Sequence, residues 1–275
     1  VAPPRTGSGA FTQSDDMVKW QKHDRMFDIS LTFHGTAQAI NRICKALYGD
    51  GDGTNTLLGS MPSVTDFRHN VANAVPVSII FENAYHTGTT NDAVFTSCLC
   101  TGLTLTGDIS SNGGVVMGTA TFQTGYNMTT QTSALSGTET SLSDQATMFN
   151  MHDLQTTTFA GEDLLLYNFE LSIVRPVNRI GFDSSNGFRP SGYSIGGYEV
   201  TGSLTCKRDD KSLTSMGESA TGSALVLDTT VFQISAPTCM VDTAAISFDD
   251  DGWKQTIPYR AVYTGATSST IVTID

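Results

Sequence analysis

Side-chain oxygens at nearly alternate positions mark the run Asp50-Gly51-Asp52-Gly53-Thr54-Asn55. In calcium loops, oxygens at alternate positions converge on a hard cation. The bidentate Glu that closes such a loop is missing, because Met61 stands at its position. Repeated Asp-Gly pairs are also common turn formers directly after a helix. We therefore interpret this run as a turn, and the acidic run Asp249-Asp250-Asp251-Gly252 as a solvated hairpin tip.

A second pattern with possible chemistry is Gly192-Tyr193-Ser194-Ile195-Gly196, which fits the letters of a nucleophile elbow. That elbow requires a sharp turn from a strand into a helix. Here the surrounding residues 187–197 are rich in Gly, Ser, Pro and Tyr and lead into a strand, so we predict a loop. A glycosidase pair of carboxylates would come from distant positions, but two Trp residues give little support for a polysaccharide cleft. The sequence predicts no catalytic residue and a protein that is not an enzyme.

The histidines and cysteines of the sequence give little support for a metal site or for redox chemistry. The histidines show no close pair of the kind that zinc sites use; they are His23, His34, His69, His86 and His152. One residue separates Cys98 from Cys100, so the two thiols form neither a redox pair nor half of a zinc finger. The other cysteines are Cys44, Cys206 and Cys239. We predict buried free thiols, folding in a reducing cytoplasm, and no metal or cofactor.

Charge and hydropathy limit the kinds of partner that the chain is expected to bind. The chain has 27 acidic and 15 basic residues, a formal net charge of -12. Affinity for nucleic acid comes from Lys and Arg, so this balance disfavours a nucleic-acid binder. It is compatible with a surface past which DNA slides without binding. A mean hydropathy of -0.09 and the lack of a long apolar run argue against a membrane protein, and residues 1–5 lack the order of a secretory signal.

Abundant Thr, Ser and Gly predict a mainly β fold with short flanking helices. Residues 27–33 alternate apolar and polar, as in a strand with one buried face. Residues 37–47 have helical spacing, with Thr36 as N-cap and Gly49 just past the end, so we expect a helix buried on one side. Strand-like residues 75–81 and two β-patterned runs follow, and the runs span 95–106 and 115–124.

The same order recurs later in the chain. A strand over 199–206 precedes a helical candidate at 213–220, and three further β-patterned runs span 224–234, 238–248 and 255–264. Leu31-Thr32-Phe33 matches Leu204-Thr205-Cys206, and Gln123-Thr124-Gly125 matches Tyr263-Thr264-Gly265. Strand, helix, strand and hairpin follow one another both times. We interpret this as an internal duplication of one β-rich module.

The length of 275 residues accommodates two such modules. We divide the chain into an arm, module 1, a Thr/Ser-rich linker, and module 2 with a C-terminal tail; these are residues 1–20, 21–126, 127–160 and 161–275. In the arm, Trp20 could dock on a neighbouring molecule or under its own sheet. Module 1 carries a polar insertion, 49–73. Further strands are predicted at 164–174, 177–180 and 270–274.

Several of these runs resemble the tail tube proteins of tailed bacteriophages. In module 1 they are Phe27-Asp28-Ile29-Ser30-Leu31-Thr32-Phe33 with the helix that follows, Cys100-Thr101-Gly102-Leu103-Thr104-Leu105, and residues 115–124. Tyr198-Glu199-Val200-Thr201-Gly202-Ser203-Leu204-Thr205-Cys206 is similar to the strand that opens a module in two-module members. The resemblance covers roughly residues 20–265 and rests on the order of the elements rather than on a catalytic motif.

The resemblance implies two tandem β-sandwich or partial-barrel modules whose sheets join those of neighbours into a hollow barrel. A two-module chain would form trimeric rings with pseudo-sixfold symmetry, with hexameric rings as the alternative. Stacked rings would form the tube of a virion tail, assembled in the bacterial cytoplasm. Residues 1–20, 49–73, 107–114 and 127–160 are the candidates for contacts between rings.

The partners implied are other copies of the chain, the tape measure protein, the tail terminator, and distal tail or baseplate proteins. DNA would pass through the lumen without specific binding, because lumen-facing carboxylates repel its phosphates. The resemblance implies no membrane, no cofactor and no metal. Two other functions stay open: a head decoration protein or glycan-binding adhesin with a β-sandwich fold, and a β-sandwich hydrolase that uses Ser194.

Overall fold

The computed structural model describes residues 28–48, 65–68, 76–81, 92–124, 129–131, 148–183, 189–207, 222–229, 233–242, 245–249, 252–262 and 270–274. Strands greatly outnumber helix among the described residues, which confirms the mainly β prediction. The arm 1–20, the run 50–55, the helical candidate 213–220 and the matching tripeptide 263–265 lie outside the described residues.

One α-helix and seventeen strands form the described architecture. The elements of the first part are β1 (Asp28–His34), α1 (Ala37–Tyr48), β2 (Thr65–Arg68), β3 (Val77–Phe81), β4 (Asp92–Asp108), β5 (Met117–Gln123), β6 (Thr129–Gln131), β7 (Leu154–Phe159) and β8 (Glu162–Asp163). Those of the second part are β9 (Leu166–Val174), β10 (Val177–Asp183), β11 (Arg189–Ile195), β12 (Glu199–Lys207), β13 (Ser223–Thr229), β14 (Gln233–Val241), β15 (Ala245–Asp249), β16 (Gly252–Ala261) and β17 (Thr270–Ile274).

Helix α1 agrees with its sequence prediction in position and in burial. The Ala39 amide donates a hydrogen bond to the Thr36 hydroxyl at 3.2 Å, which satisfies one of the unpaired amides of the first turn. Ile40, Cys44 and Leu47 recur at helical spacing and are fully buried. The helix therefore covers the apolar face of the sheet with one of its own faces, as the spacing of its apolar residues predicts.

A single large antiparallel sheet connects most of the strands. Its main path runs β1-β5-β4-β9-β12-β16-β14-β13-β7-β8, and β10 with β11 forms a separate two-stranded sheet. Strand β9 occupies a central place, because it pairs with β4 on one side and with β12 on the other. Its side chains Phe169, Leu171 and Ile173 alternate into the core. The early and the late strands therefore belong to one sheet and one continuous core.

Two groups of four strands have the same pairing order within this sheet. In the first strand group, the order is β1-β5-β4-β3, and in the second strand group it is β12-β16-β14-β13. Counted in chain order, the first strand of each group pairs with the fourth, the fourth with the third, and the third with the second. In the second group, β15 continues the line of β14 along β16.

The ladders of the two groups also share a shift in register. Along β4, Cys100 pairs with Phe122, whereas Gly102, two residues later, pairs with the adjacent Thr121. Along β14 and β15, the partner moves from Tyr259 to Thr256 while the strand advances from residue 241 to residue 245. The shift along β4 is a β-bulge, and the chain from β14 to β15 is likewise one residue longer than the stretch of β16 that it follows.

Five sequence predictions differ from the structure. Residues 187–197 were expected to form a loop, but β11 occupies most of this range and pairs with β10. The insertion 49–73 contains β2, which pairs with β17, and the linker 127–160 contains β6 and β7. Cross-strand pairing makes these segments strands. Segments rich in Gly, Ser and Thr have too weak an apolar pattern for that pairing to be predicted from sequence. Similarly, the run 224–234 is divided between β13 and β14, and the run 238–248 between β14 and β15.

A tyrosine crosses β12 at a glycine. The Tyr259 hydroxyl on β16 donates a hydrogen bond to the Glu170 carbonyl on β9 at 3.1 Å. To do so it passes over Gly202, and a Cβ atom at Gly202 would overlap both the Tyr259 hydroxyl and the Glu170 carbonyl. Burial raises the pKa of the Tyr259 phenol, which therefore stays a hydrogen-bond donor. A glycine at the centre of β12 thus allows three neighbouring strands to be joined by one side chain.

We expect Gly202→Ala to lower the free energy of unfolding by about 1–3 kcal/mol, because the added methyl group displaces Tyr259 from its carbonyl partner. Urea unfolding followed by circular dichroism measures this change. The matched control is Gly197→Ala, since a Cβ atom there meets nothing within 4 Å; its free energy of unfolding should change by less than about 1 kcal/mol. Equal losses in the two variants would contradict the role of the crossing tyrosine.

Candidate functional site

The residues singled out for catalysis are not brought together among the described residues. Ser194 lies on β11, exposed and directly opposite Asn178 on β10. An extended strand does not provide the sharp turn that a nucleophile elbow requires. The described part of the chain contains no group of three or more His, Cys, Asp or Glu residues that could hold a metal ion. The described histidines, His34 and His152, are exposed.

All five cysteines are free and buried, which confirms the prediction made from their spacing. Burial raises the pKa of the Cys100 and Cys239 thiols to about 12, and raises the pKa of Cys44 further. Because the thiolate is the reactive form, these side chains are poorly suited to redox or metal chemistry in the folded protein. Cys98 and Cys100 pack in the same apolar core cluster. We conclude that the thiols serve the packing of the core.

The exposed face of the central sheet has a regular polar composition. On six neighbouring strands, Thr and Ser are the most frequent of the residues that alternate with the buried ones. Direct cross-strand partners form one row across this face, in the order Thr32, Thr119, Thr104, Ser172, Thr201 and Arg260. We call the exposed face of β1, β5, β4, β9, β12 and β16 the hydroxyl face.

Hydrogen bonds link hydroxyl groups between neighbouring strands of the hydroxyl face. The Thr104 and Ser172 hydroxyls are 3.4 Å apart, and the Thr205 and Thr256 hydroxyls are 3.1 Å apart. Such pairs stabilise a sheet and leave a surface of short, uncharged side chains. No long aromatic or aliphatic side chain is needed there, because the opposite face of the same strands carries the core.

Charges on the hydroxyl face are close to balanced. Acidic and basic residues on it are Asp28, Asp108, Glu170, Glu199, Lys207, Lys254 and Arg260. Arg260 forms an ion pair with Glu199 at 2.9 Å, and the Lys254 ammonium lies 4.7 Å from the centre of the Tyr167 ring. The acidic and basic side chains of this face therefore nearly cancel, and they lie among its Thr and Ser hydroxyls.

The sheet has unpaired edges in the described part of the chain. Strand β1 ends the sheet path on one side and pairs only with β5, while β15 pairs only with β16. An unpaired edge presents a row of N–H and C=O groups to which another strand can bind. Within the chain, the edge of β4 is covered by β9. The outer edges of β1 and β15 are therefore candidate surfaces for association.

The hairpin of β15 and β16 also carries an exposed apolar surface. Ile246, Phe248 and Trp253 are 40%, 69% and 56% exposed. Phe248 and Trp253 are direct cross-strand partners, and their ring centres lie 5.3 Å apart. We call these three residues the aromatic hairpin face. Sequence reasoning missed it, although Ile246 and Phe248 alternate with polar residues beside an acidic tip, and such a pattern is available in the sequence.

A buried arginine joins α1 to the chain that leads into β12. Arg175 is 1% exposed, and its guanidinium donates hydrogen bonds to the Leu47 carbonyl at 2.8 Å and to the Tyr198 hydroxyl at 3.0 Å. The guanidinium also lies over the Tyr198 ring, 4.7 Å from its centre. Burial lowers the pKa of Arg175 from its usual range. Sequence reasoning did not single out Arg175, since only its place before Pro176 marks it.

Comparisons with known proteins do not assign this arrangement to a family. No model of a protein family matches the chain, and no curated protein matches it. Among the described residues, no helix is both long enough and apolar enough to cross a membrane. The hydroxyl face, the unpaired edges and the aromatic hairpin face are the features on which a function can be argued.

Proposed function

We propose that this chain is a structural protein that assembles with copies of itself into the tail tube of a tailed bacteriophage. The observation that carries the proposal is the repeated strand order, with an unpaired edge at each end of the repeat. The resemblance of residues 27–33, 100–105 and 198–206 to tail tube proteins supports this particular assembly. Its location would be the virion tail, formed in the bacterial cytoplasm.

The ladders support a duplication of one module. Leu31 pairs with Ala120, and Leu204 pairs with Ile257. Matching Leu31 with Leu204, as their sequences suggest, therefore also matches Ala120 with Ile257. Both matched pairs consist of apolar residues that point into the core.

The same alignment continues through the remaining strands of each group. It matches Cys98 with Cys239, both fully buried, and their partners Val77 and Ser223 also match. In both ladders the register shifts by one residue immediately after this pair. Agreement over three ladders and two bulges supports a common origin of the two strand groups, since chance would not align irregularities as well as regular pairs.

The position of β9 suggests how copies join. Within the chain, β9 links the third strand of the first group to the first strand of the second group. A head-to-tail repeat of this arrangement would bring β15 of one copy towards β1 of the next. Such heterologous contacts form a closed ring when the rotation between copies divides a full turn. Three two-module chains would supply the six modules of a ring, and six chains would form the hexameric alternative.

The hydroxyl face suits the wall of a DNA conduit. Binding to nucleic acid depends on Lys and Arg contacts with phosphates, and two of the basic side chains of this face, Arg260 and Lys254, lie beside Glu199 and the Tyr167 ring. Short hydroxyl side chains present no extended basic patch to a passing duplex. The net charge of -12 adds repulsion, which is screened within about 8 Å at physiological salt. In the tail, the partners would be the tape measure, the tail terminator, and distal tail or baseplate proteins.

Imaging of the purified protein tests the proposal directly. We expect negative-stain and cryo-electron microscopy at high protein concentration to reveal rings or tubes with threefold or sixfold symmetry, determined without imposing it. The physical reason is that assembly satisfies the free backbone groups at the edges of β1 and β15. A protein that stays monomeric at every concentration, or that binds glycans as a monomer, would contradict the proposal and favour the adhesin.

Labelling of introduced thiols tests which face lines the lumen. In Thr104→Cys, we expect a small maleimide to react with both the free and the assembled protein, while a maleimide on a large polyethylene glycol reacts only with the free protein. The reason is that a closed ring admits small molecules to its inner surface and excludes a bulky polymer.

The matched control for this experiment is Leu165→Cys, because Leu165 is 60% exposed and lies outside the strands of the hydroxyl face. This variant should react with both reagents in both states. If assembled Thr104→Cys reacted with the bulky reagent as readily as Leu165→Cys, the hydroxyl face would not be the inner wall.

A further inference from the structure

Equivalent hairpins of the two strand groups differ in one respect. The β4–β5 hairpin and the β15–β16 hairpin have matching ladders. The cross-strand pair of Leu105 with Gly118 in the first corresponds to the pair of Ile246 with Gln255 in the second. The alignment that starts from Leu31 and Leu204 matches Leu105 with Ile246, Gly107 with Phe248, and Val116 with Trp253. The three residues of the first hairpin are buried, whereas those of the second are the exposed aromatic hairpin face.

In the first strand group, a short segment of the chain covers this surface. Phe149 and Met151 are 1% and 4% exposed. The Phe149 amide donates to the Gly35 carbonyl at 2.8 Å, and the Phe149 carbonyl accepts from the Val116 amide at 2.8 Å. A Cβ atom at Gly107 would come within 2.5 Å of the Met151 sulfur. We call residues 148–153 the covering segment, because they hydrogen-bond to Gly35 and Val116 just beyond the end of the β1–β5 ladder and cover Gly107 of the hairpin.

The covering segment belongs by its connections to the second strand group. It continues directly into β7, and β7 pairs with β13. The chain that leads into the second group thus covers the hairpin of the first group. No described segment occupies the equivalent place on the hairpin of β15 and β16. If the hairpin of β15 and β16 is covered in the same way, the residues that cover it are those that lead into a first strand group. These are residues 1–27.

We infer that the aromatic hairpin face binds residues 1–27 of a second copy of this chain. This inference rests on the proposed self-assembly and names the partner surface of one contact within it. The covering segment leads into the second strand group and covers the hairpin of the group before it. Residues 1–27 lead into the first strand group, and in a head-to-tail assembly the group before that one is the second strand group of another copy. We therefore favour a second copy over the chain itself. The incoming segment takes the place that residues 148–153 take on the hairpin of β4 and β5.

The composition of residues 1–27 matches that surface. Trp20 and Phe11 supply large apolar side chains of the kind that fill aromatic contacts between proteins. Residues 1–27 contain four basic residues (Arg5, Lys19, Lys22 and Arg25) and three acidic ones (Asp15, Asp16 and Asp24), whereas acidic residues clearly outnumber basic ones in the whole chain. The hairpin tip next to the aromatic hairpin face has the sequence Asp249-Asp250-Asp251. Residues 1–27 lack the strong negative charge of the rest of the chain, which favours their contact with this acidic tip.

Disulfide trapping between two variants tests the inference. One full-length variant carries Trp20→Cys and the other, with a tag that changes its mass, carries Phe248→Cys. The five native thiols are buried and do not compete. After the variants are mixed under assembly conditions and mildly oxidised, we expect a disulfide-linked dimer that contains one copy of each.

The control mixture replaces Phe248→Cys with Leu165→Cys, at an equally exposed apolar residue outside the hairpin. It should yield at least about tenfold less mixed dimer. The inference is overturned if both mixtures give the same yield while rings or tubes still form, and the proposed function then stands. It is also overturned if the double variant Trp20→Cys/Phe248→Cys forms its disulfide within one copy. If the wild-type chain does not assemble at all, the proposed function and the inference fail together.

A second measurement uses substitution rather than trapping. Trp253→Ser should raise the protein concentration needed for assembly by about tenfold or more, because aromatic anchors at the centre of a contact contribute most of its free energy. Leu165→Ser should leave that concentration unchanged. An unchanged value for Trp253→Ser, with the fold intact by circular dichroism, contradicts the inference.

Discussion

Backbone hydrogen bonding at the edges of the sheet is the constraint on which this molecule depends. Each outermost strand leaves a row of N–H and C=O groups without partners, and these groups must find water or another strand. Inside the chain, β9 resolves this problem by pairing with β4 and β12 at once. The outer edges of β1 and β15 have no such strand among the described residues. The account of assembly follows from this difference between the middle of the sheet and its ends.

The two faces of the sheet then acquire separate roles. One face is packed beneath α1 and the covering segment, and Arg175 holds the end of α1 through the Leu47 carbonyl. Because the core and its buried polar contacts lie on that side, the opposite face is released from packing and can consist of short hydroxyl side chains. A chain whose sheet is covered on one side and polar on the other is well suited to form the wall of a hollow assembly.

The sequence predicted those parts of the fold that are encoded by local patterns. The alternation of residues 27–33 and the helical spacing from Ile40 to Leu47 led to β1 and α1, because periodic burial is visible in a single segment. The sequence patterns did not predict β11 or β2, because these strands are defined by their pairing with β10 and β17, which lie elsewhere in the chain. The duplication was suggested by element order and gains support only from the registers of the ladders. The hydroxyl row from Thr32 to Thr201 needs those same registers, so no inspection of one strand could reveal it.

Hydrogen exchange of the edge strands, measured on dissociated and on assembled protein, shows whether copies join their sheets. If they do, amides in residues 28–34 and 245–249 exchange at least about tenfold more slowly after assembly, because their outward-facing groups gain partners. Residues 166–174, which β4 and β12 already flank, should be protected equally in both states. Exchange at the two edges that is unchanged by assembly would show that copies associate without joining their sheets, and would contradict the account.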